Sequence, residues 1–208
     1  MDFSSFLVRD GRAIRPDLHR KRLGGIPDLS DIPKAGQWFP KLTADSMELR
    51  PAPPLRTSTV LWIPEDPDPR RHPLRKGPDT AVLARLRSQA RDEGADDAVL
   101  HADGYVREAA NAALVFFDES GPVQAPESEV LASTTVQGTV EAGLMPAPRR
   151  RNITLEEAFT LSALAASALH GWTPVHAWVV QGRGVKAASL SIDAAGLNAA
   201  LWAQAERI

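Results

Sequence analysis

The stretch that decides the fold runs from His72 to Phe117 and reads HPLRKGPDTAVLARLRSQARDEGADDAVLHADGYVREAANAALVFF. It predicts a loop, a helix, a hairpin and a buried strand, in that order. Apolar positions at helical spacing indicate the helix, which follows a Pro-Asp-Thr start signal and ends at Gly94. Asp103-Gly104, between two short apolar segments, is typical of a hairpin turn. The loop carries Lys76, and the second strand of the hairpin carries Glu108.

The overall composition is that of an ordinary soluble globular protein. The 208 residues are 43% hydrophobic and 24% charged, with a net charge of −2, so we expect no bulk attraction to nucleic acid. The sequence has no apolar run long enough for a membrane span and no leader-like apolar region, so we expect a protein that does not contact membranes. It has no cysteine, which excludes disulfides and is compatible with a cytoplasmic location.

The rest of the chain alternates between strand and helix signals. Residues Thr57 to Ile63 form the clearest strand of the first third, and the proline-rich, charged segment Pro64 to Pro78 is typical of a linker. A capping-box pattern predicts a helix over Ala158 to Ala166, and Asp193 begins a final helix. These elements predict an α+β or α/β fold with a largely antiparallel sheet.

Several short motifs occur together in an order that resembles the class IV aminotransferase family. The family, also called fold-type-IV pyridoxal-phosphate enzymes, includes aminodeoxychorismate lyase and the branched-chain and D-amino-acid aminotransferases. Its members share an H-x-x-R-L motif, a lysine loop, a G-A-D-E/D-A segment, a D-G hairpin with a following glutamate, and a late segment ending in P-V. Here these are His19 to Leu23, Lys76 to Asp79, Gly94 to Ala98, Asp103-Gly104 with Glu108, and Ser167 to Val175.

The resemblance implies the cofactor pyridoxal 5'-phosphate and a two-domain fold-type-IV architecture. We place the boundary in the proline-rich segment. Residues 1–75 then form a shortened N-terminal domain with the linker, and residues 76–208 form the larger cofactor-binding domain.

The resemblance assigns the two central roles to Lys76 and Glu108. Lys76 occupies the place of the lysine that bonds the cofactor aldehyde, and it is the catalytic candidate. A lysine attacks an aldehyde only when neutral, so burial or nearby positive charge must lower its pKa. Glu108 occupies the place of the carboxylate that partners the pyridine nitrogen. From composition alone, an exposed cation and an outward-facing strand glutamate remain the alternatives.

The remaining cofactor-binding candidates form a predicted phosphate cup. Arg22 matches the family's phosphate arginine, whose guanidinium can bind two phosphate oxygens. Thr134 and Thr135 precede a possible helix, where free N–H groups suit a phosphate, and Ser167 and Ala168 occupy the last phosphate-contacting position. The alternatives are a solvated helix face for Arg22 and simple helix capping for the threonines.

Other polar residues give weaker signals. His170 and His176 are equally compatible with catalytic and structural roles. The histidines have no metal-ligand spacing, so no metal site is expected. The run Arg149 to Arg151 is either an anion patch or a solvated loop, and the overall charge favours the loop.

Two hypotheses about function follow. The first is a pyridoxal-phosphate enzyme acting on an amino acid or an aminodeoxychorismate-like small molecule, as an aminotransferase or a lyase. The second is a degenerate relative of the same fold that binds the cofactor or a partner without turnover. The second is favoured by Ala81, where many members carry an aromatic residue, by Val136, where an arginine is frequent, and by the short N-terminal segment.

The resemblance also implies a homodimer whose active site lies near the partner chain. A limited core in the N-terminal segment supports this expectation. Its aromatic residues Phe6, Trp38, Phe39 and Trp62 form an interface if they make one exposed patch.

Overall fold

A nine-stranded mixed sheet forms the centre of the computed structural model, which describes residues 1–189 and 191–208. Two small sheets and one helix precede it in the chain. Their strands are β1 (Ser4–Ser5), β2 (Val8–Arg9), β3 (Arg12–Ala13), β4 (Gln37–Trp38), β5 (Lys41–Leu42) and β6 (Met47–Glu48), and the helix is α1 (Pro16–Leu23). One small sheet has the order β1-β5-β6, and the other is closed by the last strand of the chain, β16 (Glu206–Arg207), in the order β16-β3-β2-β4.

The central sheet is mainly antiparallel, as the sequence predicts. Its strands are β7 (Thr59–Ile63), β8 (Asp97–Ala102), β9 (Tyr105–Ala109), β10 (Ala113–Asp118), β11 (Gly121–Gln124), β12 (Arg149–Arg150), β13 (Ser162–Ser167), β14 (Gly171–Val180) and β15 (Arg183–Lys186). The order is β12-β11-β10-β13-β14-β7-β8-β9, and β15 pairs with β14. Four further helices pack around it: α2 (Thr80–Asp92), α3 (Thr134–Glu141), α4 (Leu155–Thr160) and α5 (Ala194–Ala203).

The crossover between β7 and β8 places the candidate lysine. These strands are parallel, so the chain must return across the sheet between them, and α2 provides that return. Leu83 and Leu86 of α2 pack on a buried cluster that includes Ala90 and Ala98. The loop from β7 to α2 carries Lys76 and is fixed to β8, because the Asp68 amide donates to the His101 carbonyl at 2.7 Å.

The hairpin after α2 forms as predicted. Asp103 and Gly104 have φ values of 53° and 78°, the left-handed conformations that a tight hairpin turn requires. A bulge between β8 and β9 shifts the register between Leu100 and His101. Glu108 pairs opposite Leu100 and is buried.

One sequence-based expectation, the helix over Ala158 to Ala166, is wrong. The capping box exists, since the Thr154 hydroxyl accepts from the Glu157 amide at 3.0 Å, but the helix ends at Thr160. Residues Ser162–Ser167 form β13, because this Ala-rich segment is buried between β10 and β14 and pairing there overrides its helix propensity.

The proposed aromatic interface patch is also not observed. Phe6 is 2% exposed and lies in the N-terminal core, and Trp38 packs against that core. Trp62 packs under α2, and Phe39 lines the cleft described below. The homodimer therefore stays a prediction that rests on resemblance alone.

The domain boundary at residue 76 also stays a prediction. The strand β7 precedes that boundary and pairs with β8 and β14 of the central sheet. No helix among the described residues is both long and apolar enough to cross a membrane.

Candidate active site

A cleft of about 710 Å³ lies where the lysine loop, β9, the start of α3 and the end of β13 meet. It collects six of the seven residues that the sequence predicts for the site. They are Arg22, Lys76, Glu108, Thr134, Ser167 and Ala168. Residues far apart in the chain are thus brought to one surface.

Lys76 is half-buried under the N-terminal segment. The Phe3 amide donates to the Lys76 carbonyl at 3.0 Å, and the ammonium lies 5.3 Å from the Phe3 ring centroid. Gly77, at φ +149°, permits this contact, since a Cβ there would lie 2.2 Å from the Met1 carbonyl oxygen. Burial and the positive charge of Arg22 lower the pKa of Lys76 to about 8, against the opposing effect of Glu108. The amine is therefore poised to react near neutral pH.

Glu108 points into the cleft from β9 and is tied to two donors through one oxygen. Its Oε1 accepts from Arg70 Nη1 at 2.7 Å and from the Leu131 amide at 2.9 Å. Burial raises the pKa of this carboxyl, and the adjacent Arg70 opposes that rise. Oε2 has no partner among the described residues and is the atom available to a ligand.

The predicted phosphate end of the cleft lies between α1, α3 and β13. Arg22 is in the last turn of α1, and its guanidinium donates to the carbonyl of Ala132. Thr134 is the first residue of α3, whose N-cap Ser133 accepts from the Val136 amide at 3.3 Å. The first N–H groups of a helix have no intrahelical partner, so they can donate to an anion.

The end of β13 adds a second set of donors. The Ser167 hydroxyl accepts from the His170 amide at 3.0 Å, which leaves its own O–H free to donate. The Ala168 carbonyl accepts from the Leu7 amide at 2.9 Å, which fixes this turn against the N-terminal segment.

Thr135 does not line the cleft. It borders a separate cavity of about 30 Å³ together with His19 and Phe6. His19 is 2% exposed, its Nδ1 lies 2.7 Å from the Ser4 hydroxyl, and burial lowers its pKa to about 3. The histidine and the arginine of the H-x-x-R motif therefore have different surroundings. His19 is neutral and packs beneath α1, and Arg22 lines the cleft.

Sequence reasoning missed most of the positive charge in the cleft. The lining contains nine basic and four acidic side chains, although the whole chain has a net charge of −2. The basic residues not predicted for the site are Lys41, Arg50, Arg56, Arg70, Arg75, Arg87 and Arg91. Their positions in β5, in loops and on α2 form no sequence motif by which they could be grouped.

Two of these arginines have unused hydrogen-bonding capacity. Arg50 donates to the Ser5 hydroxyl at 3.3 Å, and Arg56 donates to the Asp96 carbonyl at 3.4 Å. The Nε atoms of both are buried and have no partner among the described residues. Buried guanidinium nitrogens normally find acceptors, so these two can accommodate an anionic ligand.

The remaining polar candidates are placed plainly by the structure. His170 lines the cleft, and burial with the nearby Arg56 lowers its pKa to about 4, whereas His176 is exposed on β14. Arg151 is paired with Glu157 at 2.6 Å, and Arg149 and Arg151 both pair with Asp118. The arginine run is thus an ion-paired edge. No cluster of potential metal ligands occurs within residues 1–189 and 191–208.

The donor set fits pyridoxal phosphate. A lysine of lowered pKa, a buried carboxylate with a free oxygen, and an arginine beside a helix N-terminus line one cleft. A family model described as amino-transferase class IV matches residues 40–178, about two thirds of the sequence. The chain belongs to this family. Comparison with curated proteins gives no match.

Solved structures of class IV aminotransferases share the fold. A hypothetical aminotransferase from Mycobacterium tuberculosis, bound to α-ketoglutarate and PMP, has a TM-score of 0.78 at 19% identity over 98% of this chain and 89% of that chain. The branched-chain aminotransferase from Thermoproteus uzoniensis with norvaline has a TM-score of 0.77 at 14% identity, over 97% and 84%. A candidate 4-amino-4-deoxychorismate lyase from Legionella pneumophila has 0.73 at 14%, over 97% and 90%. The mixed α/β fold-type-IV architecture is thereby confirmed.

Proposed function

We propose that this class IV aminotransferase family member is an active pyridoxal-phosphate enzyme acting on a small, anionic amino compound, as an aminotransferase or a lyase of the aminodeoxychorismate type. The observation that carries the proposal is the meeting of Lys76, Glu108 and Arg22 in one cleft. A cytoplasmic location is part of the proposal and rests on the sequence.

The bound cofactor supplies an electron sink for the bond that breaks at the substrate α-carbon. In this proposal Lys76 would be the residue that holds the cofactor through its aldehyde, and its amine would move the proton at the substrate α-carbon. Glu108 holds a proton on the pyridine nitrogen. Arg22, the first N–H groups of α3 and the Ser167 hydroxyl bind the phosphate.

The charge of the cleft supports an anionic substrate. After Arg22 is assigned to phosphate and Arg70 to Glu108, the under-paired Arg50 and Arg56 remain on the lining. Every amino-acid substrate brings a carboxylate, and arginine is the side chain best suited to bind one.

The non-catalytic alternative is favoured by two substitutions of the family pattern. Val136 is 5% exposed and packs in the core beneath α3, so this position contributes no charge to the cleft. Ala81 is exposed at the start of α2 and adds no aromatic wall. Neither change removes a residue of the lysine, carboxylate and arginine set.

Absorbance titration of the purified protein with pyridoxal phosphate tests the proposal. We expect a saturable visible band, followed by loss of that band when an amino donor converts the cofactor to its amine form. Consumption of an aminodeoxychorismate-type substrate without any keto-acid acceptor would indicate the lyase reaction. A saturable band that no amino compound alters would support the non-catalytic alternative, and no band at saturating cofactor would refute the proposed enzyme and leave only an interaction protein of the same fold.

A further inference from the structure

A buried chain of charges extends from Glu108 through Arg70, which also lines the cleft, to Asp68. Arg70 donates to both carboxylate oxygens of Asp68 at 2.8–3.1 Å and to Glu108 Oε1 at 2.7 Å. The side chains of Asp68, Arg70 and Glu108 are 2%, 6% and 6% exposed. Asp68 and Arg70 come from the loop that leaves β7, and Glu108 comes from β9.

Stability does not explain this arrangement. Burying an ion pair costs desolvation that its attraction often does not recover, and apolar residues of similar volume are frequently as stable or better. A retained buried network therefore suggests a geometric purpose. Arg70 is itself fixed, because Asp68 holds it from behind and the Pro73 carbonyl accepts from Nη1 at 3.3 Å.

We propose that Arg70 is a positioning residue: it fixes the orientation and charge of the Glu108 carboxylate, and through Glu108 it sets the affinity for the pyridine ring of the cofactor. This inference rests on the proposed function.

The geometry gives Arg70 a specific action. Two donors on Oε1 restrict the orientation of the carboxylate and leave Oε2 for a ligand. Burial disfavours the charged form of Glu108, and the guanidinium compensates for that burial. Without Arg70, the carboxylate becomes protonated or turns toward another donor, and a neutral carboxyl no longer holds a proton on the ring nitrogen.

The test is a double-mutant cycle on cofactor binding. The variants are Arg70→Met, Glu108→Gln and the double variant, and the readouts are the dissociation constant for pyridoxal phosphate and the absorbance of the bound cofactor. We expect Arg70→Met to weaken binding about tenfold, the size of one charge-assisted hydrogen bond. Because Arg70 acts through Glu108, the double variant should bind no more weakly than Glu108→Gln alone.

Two comparisons separate positioning from a general structural effect. Arg70→Lys keeps the charge and should recover part of the affinity. Arg183→Met is the control, since Arg183 is exposed on β15 and is not among the residues that line the cleft. Its affinity should stay within about twofold of the parent, as expected for a residue without a contact to Glu108. A carbocyclic cofactor analogue with CH in place of the ring nitrogen should bind the parent and Arg70→Met equally well.

The outcomes are distinguishable from failure of the proposed function. If the parent protein binds no pyridoxal phosphate, the proposed function and this inference both fall. If the parent binds and folded Arg70→Met binds equally tightly, or if the two losses add, only this inference is overturned. Should circular dichroism show Arg70→Met unfolded, Arg70→Lys and Asp68→Asn replace it. Unchanged cofactor affinity and absorbance in those two folded variants would likewise overturn the inference.

Discussion

Charged side chains are paired differently in two regions of the cleft, which we call the inner end (around Glu108) and the rim (around Arg50 and Arg56). At the inner end, the side chains of Glu108, Arg70 and Asp68 are almost fully buried and are paired in series, which leaves Glu108 Oε2 for a ligand. At the rim, Arg50 and Arg56 retain buried nitrogens without partners among the described residues. A rigid, ion-paired network with one free carboxylate oxygen suits a ligand that is always the same, such as a cofactor. Under-paired arginines suit a ligand that arrives and leaves, such as a substrate.

The two regions are also carried by different parts of the fold. The inner network joins the loop after β7 to β9, so it is held by the central sheet. The rim arginines flank the proline-rich segment Pro51 to Pro54, outside that sheet. The inner end thus suits precise placement of the cofactor, and the rim suits selection of the substrate.

The largest effect is expected at Lys76, the reactive residue of the inner end. Lys76→Ala should lower turnover by at least about a thousandfold, because it removes the amine to which the proposal assigns the bond with the cofactor aldehyde. Stopped-flow and steady-state kinetics measure this loss. Arg183→Ala, exposed on β15, is the control and should retain full activity. Turnover near the parent level in Lys76→Ala would show that Lys76 does not take part in the reaction.

The next effect concerns stability. Asp68→Ala should lower the free energy of unfolding by about 3 kcal/mol, because it leaves the buried Arg70 without its bidentate partner. Arg50→Ala at the rim should change it by less than about 1 kcal/mol. Urea denaturation of both variants checks the contrast, and equal losses would mean that the two ends do not differ in the way described.

A smaller effect is expected at the phosphate end. Arg22→Ala should weaken binding of pyridoxal phosphate by about 1.5–3 kcal/mol, the range for a charge-assisted hydrogen bond. Arg20→Ala is the matched control, since Arg20 is exposed on the same helix. Fluorescence titration of both variants gives the dissociation constants. Unchanged cofactor affinity in folded Arg22→Ala would return Arg22 to the role of a solvated surface residue.

At the rim, the effect should fall on substrate and spare the cofactor. Arg56→Gln should raise KM for a dianionic amino substrate about tenfold, equivalent to about 1.4 kcal/mol, with cofactor affinity unchanged. A monoanionic substrate of similar size should be affected less. Weaker cofactor binding without a change in KM would show that Arg56 binds the cofactor, and would contradict the assignment of the rim to the substrate.

The smallest effect is a pH dependence. Because the pKa of Lys76 is lowered to about 8, the neutral amine increases as pH rises and saturates above that value. The rate of cofactor attachment to the apoprotein should follow this curve. In Arg22→Ala the midpoint should move to higher pH, since removing a positive neighbour favours the ammonium form. A rate still rising steeply at pH values near that of free lysine would contradict the lowered pKa.

The sequence singled out Lys76, Glu108 and Arg22 as candidates but not the arginines of the rim, for a physical reason. Lys76, Glu108 and Arg22 sit in local motifs with a helix, a turn and a strand beside them, so their neighbours in sequence already indicate their setting. The bonds of Glu108 to Arg70 and Leu131 span 38 and 23 residues. Local patterns contain no information on such pairings.

The errors have the same origin. The segment Ala163 to Ser167 has helix-forming composition, and only its position between β10 and β14 makes it a strand. The sequence suggested that Phe6, Trp38 and Trp62 are surplus apolar surface, because local patterns do not show that the N-terminal core and α2 cover them. Thr135 follows Thr134 in α3, and adjacent residues of an α-helix point about 100° apart. Thr135 therefore borders the separate cavity, whereas Thr134 lines the cleft.

The most direct measurement of the central claim is borohydride reduction of the protein in the presence of pyridoxal phosphate, followed by peptide mass mapping. We expect one stoichiometric cofactor adduct on Lys76, a reduced yield of that adduct in Arg22→Ala and no adduct in Lys76→Ala. An adduct on Lys41 or on another lysine, or no adduct at saturating cofactor, would contradict it.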